Sequence, residues 1–148
     1  MNMTNLRRFA LFVFVCGALC SGSRDERVSA QKDTTVTAVV LKADDGRPTG
    51  KCPLAVKFNG TVTADRAGVV TYTFTRSDGA TGPSYALTFD KAGTMPVSTE
   101  WTLGDASVLP HYEGWVAIRI VSPTAMESSH DTGSFVLNCS GAPSKGIH

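Results

Sequence analysis

The sequence has 148 residues, room for one ordinary domain and not two. Its 14 Lys and Arg stand against 13 Asp and Glu, a net charge of +1 that argues against a dedicated nucleic-acid binder. Hydrophobic residues make up 42% and charged residues 18%, which excludes disorder along the whole chain.

Residues 1–30 differ from the rest. Arg7 and Arg8 form a basic start, and an apolar run follows over residues 9–19. That run suits a signal-peptide core and is too short to span a bilayer as a helix. Val28, Ser29 and Ala30 place small residues where a signal peptidase reads, so cleavage is expected after Ala30. The alternatives are an uncleaved anchor, or a lipid-modified cysteine at Cys16 or Cys20. A bacterial lipobox wants a small residue just before the cysteine, whereas Val15 and Leu19 are bulky. Processing would leave a short segment 31–34, a body 35–139 and a polar tail 140–148, with no membrane span. The processed chain carries 10 basic and 11 acidic side chains.

Two cysteines would remain, Cys52 and Cys139. In an oxidising compartment an even count reads first as a disulfide. Neither cysteine has the close Cys or His partner that a zinc site needs, and nothing places a base beside either one.

Residues 31–148 hold 16 Thr and 12 Val, which suit a pleated, half-buried surface. The first alternating run is 35–42. The second, 54–64, keeps Leu54, Val56, Phe58, Gly60, Val62 and Ala64 on one parity. Asn59-Gly60 ordinarily signals a hairpin, but the unbroken parity predicts one long strand with a bulge or a close backbone approach at Gly60. Four more runs follow, 69–76, 84–90, 94–103 and 114–121. They direct inward Val70, Tyr72 and Phe74; Tyr85, Leu87 and Phe89; Met95, Val97, Thr99, Trp101 and Leu103; and Val116, Ile118 and Ile120. The seventh, 134–139, aligns Phe135, Leu137 and Cys139. Seven short strands with turn signals between them predict an all-β fold, an antiparallel seven-stranded immunoglobulin-like β-sandwich, with a small closed barrel as the competitor.

Several stretches carry a family resemblance. They are Cys52-Pro53, Phe58-Asn59-Gly60-Thr61, residues 71–80, Ala92-Gly93-Thr94, Trp101-Thr102-Leu103-Gly104 and the closing Cys139. Together they resemble the immunoglobulin-like or fibronectin-type-III-like domains of secreted bacterial proteins. The resemblance implies adhesion, carbohydrate-contacting, spacer or assembly roles and supplies no catalytic residue. Spacer domains of this kind ordinarily sit as appendages of larger proteins, so adhesion, carbohydrate contact or assembly is the expectation for a domain standing alone.

Chemical motifs are sparse. His111 and Glu113 are expected in the loop between the fifth and sixth runs, and His130 and Asp131 in the next loop, at the opposite end of the sheet. No metal site or cofactor is expected from them. No GxSxG is present, and Gly79 to Gly82 lacks the strand-to-helix context of a phosphate loop. The most suggestive segment is 104–115, which holds His111, Tyr112, Glu113 and Trp115. It reads either as an aromatic contact surface or as a loop plugging the core. The sequence thus points to an exported, non-enzymatic binding module whose partner is an unknown protein or glycan. A small secreted enzyme or inhibitor using residues near His111, and an envelope protein self-associating through edge strands, are the alternatives.

Overall fold

The computed structural model describes residues 33–141. The expected signal peptide with its cleavage after Ala30, Cys16 and Cys20, and the tail from residue 142 to His148 lie outside the described residues. Among the described residues nine strands appear in chain order: β1 (Val36–Ala43), β2 (Thr49–Gly50), β3 (Leu54–Ala64), β4 (Gly68–Arg76), β5 (Tyr85–Phe89), β6 (Gly93–Leu103), β7 (His111–Ser122), β8 (Met126–Glu127) and β9 (Ser134–Cys139). Seven are the expected long strands, and β2 and β8 are two-residue additions.

The strands form two sheets. One has the order β1-β3-β6, and the other β2-β9-β7-β4-β5 with β8 on the flank of β7. This is an all-β, immunoglobulin-like sandwich. In an antibody constant domain four strands face three. Here the long strands also divide four and three, as β9-β7-β4-β5 and β1-β3-β6, with β5 placed in the larger sheet by its pairing with β4.

Phe58 and Val56 of β3, Leu41 of β1, Ile118 and Ile120 of β7 and Leu137 of β9 are among the core side chains withdrawn from water. Phe58 meets Phe135 edge-on, with ring centroids 5.7 Å apart.

Gly60 is the close approach its parity implied, and not a bulge. The register between β3 and β6 runs without a shift from Leu54↔Leu103 to Ala64↔Gly93. A Cβ on Gly60 would strike the Val40 carbonyl and come within 2.9 Å of the Leu41 Cδ1. Only glycine lets β1 lie this close to the long strand.

Cys52 and Cys139 form the expected disulfide, with Cα atoms 5.3 Å apart and a sequence separation of 87. In the chain-entropy account a loop of that length is worth about 4 to 5 kcal/mol. β2 lies beside the bond, pairing parallel with β9. Gly104 turns the chain away from β6 at φ +95°, and a Cβ there would press within 2.7 Å of the Cys52 sulfur.

Candidate functional site

Sequence reasoning put residues 104–115 in a loop. The structure corrects this: His111 to Trp115 begin β7 and pair with β9, from His111↔Asn138 to Trp115↔Ser134. The backbone explains the difference, since Cys139 N–H donates to the Pro110 carbonyl at 2.8 Å and extends the ladder beyond the 114–121 run. The alternation already pointed this way, because Tyr112 and Gly114 share the parity of Val116.

Being in a strand separates the four proposed contact residues. Tyr112 faces the core, edge-on to Trp101 at 5.5 Å, with its hydroxyl 3.2 Å from Ser77 Oγ. So Tyr112 does the plugging, while Val108 at the turn stands 83% exposed and plugs nothing. His111, Glu113 and Trp115 have the opposite parity.

His111 donates from Nδ1 to Asn138 Oδ1 at 2.8 Å and faces Glu113 Oε1 from Nε2 at 3.3 Å. Both partners accept, so they favour the doubly protonated ring and hold its pKa above the ordinary histidine value, Asn138 first and Glu113 next. Trp115 lies flat on His130, with ring centroids 3.6 Å apart and planes 7° from parallel. The His130 loop therefore folds back over the middle of β7 and does not stay at the far end as its loop position implied.

Glu127 sits beside this stack. Its Oε1 accepts from the Thr75 hydroxyl at 2.8 Å, and its carboxylate lies 3.5 Å from Arg119 and 3.7 Å from His130. Burial alone would raise its pKa, but Thr75, Arg119 and His130 outweigh burial and leave it lowered. Among the described residues no group of three His, Cys, Asp or Glu side chains is placed to hold a metal ion.

The best-formed hollow lies elsewhere. A cleft of about 320 Å³ opens between β6 and the β4–β5 side of the other sheet, lined by Phe74, Arg76, Tyr85, Thr99, Glu100 and Trp101 among others. Its floor is aromatic. Phe74, Tyr85 and Trp101 line it; Tyr85 meets Phe74 edge-on at 5.9 Å and stacks at 5.4 Å on Tyr72, which lies outside the lining. Arg76 lies over the Trp101 ring at 4.4 Å and donates to Asp78 from Nε at 3.1 Å and Nη2 at 2.7 Å. Arg76 is thus held in place and its charge matched. Glu100 makes no ion pair among the described residues.

Tyr85 shows why the cleft exists. Its parity is inward, as predicted, yet it is 43% exposed, and Leu87 is only half-buried. The same face of β4 is covered: Val70, Tyr72 and Phe74 are buried. Sheet β1-β3-β6 ends at β6, so no described strand lies opposite β5. The sequence marked Tyr85 and Trp101 as core positions and carried no signal of where each sheet stops.

A second, shallower hollow of about 620 Å³ is lined by Arg47, Ser77, Glu113, Trp115 and Phe135 among others, and it holds two of the residues first proposed as contacts. No helix among the described residues is long and apolar enough to cross a membrane.

No protein-family model matches the chain, and no curated protein matches it. Among solved structures it is similar to the CARDB domain of the PF1109 protein from Pyrococcus furiosus, a domain solved in complex with di-metal ions. The identity is 10%, the match covers 73% of this chain and 90% of that one, and the TM-score is 0.49.

Proposed function

We propose that the protein is an exported, non-enzymatic binding module of the cell envelope or extracellular space, and that the cleft between β5 and β6 is its ligand contact. The carrying observation is Tyr85, an inward-facing aromatic residue left 43% exposed in a cleft that Phe74 and Trp101 also line. Aromatic residues beside fixed polar groups are the usual make-up of a recognition pocket. Export is supported by the signal-like residues 1–30 and by the disulfide, which belongs to oxidising compartments. The resemblance to secreted bacterial immunoglobulin-like domains accords with this reading.

The enzyme alternative rested on His111. Both of its ring nitrogens face Asn138 and Glu113, and the side chain is exposed rather than set in a cleft. A general base needs a free nitrogen within reach of a nucleophile or substrate. The cleft reading is tested with a Tyr85→Arg variant, which fills the hollow. Binding of peptide or glycan ligands by the oxidised protein is expected to vanish in Tyr85→Arg and to survive Trp115→Ala. Hydrolytic turnover that disappears in His111→Ala would overturn it.

A further inference from the structure

We propose that the edge of β6, which no described strand pairs, takes up an extended segment of a partner protein as an added strand. The segment would lay apolar side chains over Tyr85 and Leu87, and basic side chains beside Glu100. This rests on the cleft being the ligand contact and adds the ligand's class.

The backbone carries the first step. Pro96 pairs with Thr61 in an unshifted antiparallel ladder. A proline has no N–H to give, so this pair is of the kind whose neighbours make the hydrogen bonds. Met95, Val97, Thr99, Trp101 and Leu103 therefore turn their backbone groups toward β3. Residues of the other parity turn theirs away from the sheet. Ser98, Glu100 and Thr102 thus offer three outward N–H and three outward C=O groups in a row, and Pro96 closes the row at one end. An unpaired row of this kind is a template for a strand.

The cleft carries the second step. Thr99, Glu100 and Trp101 line it, so a strand hydrogen-bonded to β6 would lie above the hollow. It would stand opposite β5, where the described part of the sandwich has no strand. Its alternate side chains would then point at Tyr85 and Leu87, the two inward residues of β5 left incompletely covered.

Charge selects the partner. Arg76 is matched by Asp78, whereas Glu100 faces Lys57 across the β3–β6 ladder without closing an ion pair, which leaves its carboxylate open toward the outer edge. A basic residue on the outer face of the added strand would sit across from Glu100. A second copy of this chain fits poorly. The antiparallel register that uses all three outward residues sets Glu100 against Glu100, a like-charge pair that disfavours edge-to-edge joining. A saccharide could use the aromatic floor, but it would leave the row of backbone groups unpaired.

The probe is a phage-displayed library of random decapeptides, panned on the oxidised protein. Enriched sequences are expected to alternate apolar and basic residues. Ser98→Pro removes one outward N–H without touching the bonds to β3, so thermal unfolding stays close to that of the parent. The selected peptides should bind it roughly tenfold more weakly or worse. Glu100→Lys should shift enrichment from basic to acidic peptides. Equal affinity for the parent and Ser98→Pro, enrichment without alternation, glycan binding in place of peptides, or a dimer joined through β6 would each overturn the proposal. Loss of binding in Tyr85→Arg with none in Ser98→Pro would leave the cleft as the contact and remove strand addition. Binding indifferent to both variants would remove both readings.

Discussion

The two flanks of the sandwich are finished differently. On one, β1 packs across the sandwich against β7, β8 and β9, and the Cys52–Cys139 bond ties the start of β3 to the end of β9. Gly60 and Gly104 are required there because backbone and sulfur leave no room for a Cβ. On the other flank, sheet β1-β3-β6 stops one strand short of covering β5, and Tyr85 is left over a cleft. One flank is closed by covalent and steric fit, and the other presents apolar surface beside backbone that no described strand pairs. The contrast separates what holds the fold from what is free to meet a ligand.

Substitutions on the two flanks should therefore differ in cost. Phe58 is fully buried against Phe135, so Phe58→Ala is expected to destabilise by about 3 to 5 kcal/mol in urea unfolding followed by tryptophan fluorescence. Replacing both Cys52 and Cys139 by serine should cost about 2 to 5 kcal/mol. Tyr85→Ser on the open flank should cost less, about 1 kcal/mol, because much of the ring already faces water. A Tyr85→Ser cost equal to that of Phe58→Ala would mean the cleft is closed in solution and would erase the contrast.

The closed flank was more legible in the sequence than the open one. Parity over 54–64 identified β3 as one strand despite Asn59-Gly60, because a hairpin there would have mixed apolar and polar residues on each face. The cysteine pair followed from compartment and count. Tyr85 and Trp101 were correctly turned inward, but exposure depends on how many strands the facing sheet holds, and no local pattern encodes that. The start of β7 was missed for a related reason: its partner β9 comes much later in the chain, and the residues just before His111 include Pro110 and polar residues that resemble a loop.

The smallest effect concerns His111, which sits on the strand pair beside the disulfide yet faces solvent. Its pKa is raised by Asn138 and then by Glu113, so its protonated form is the one the fold favours. A raised folded-state pKa gives a contribution fully present below the ordinary histidine value and lost as pH rises through the raised one. NMR titration of the ring should therefore show His111 protonating above the ordinary histidine range. Asn138→Ala should bring it back toward that range, with little change in the melting temperature. The exposure of the pair keeps the stability effect small, since solvent screens it. Titration at the ordinary value in the parent would show that the cross-strand contact with Asn138 does not persist in solution. The link between β7 and β9 would then rest on backbone pairing and the contact of Tyr112 with Phe135.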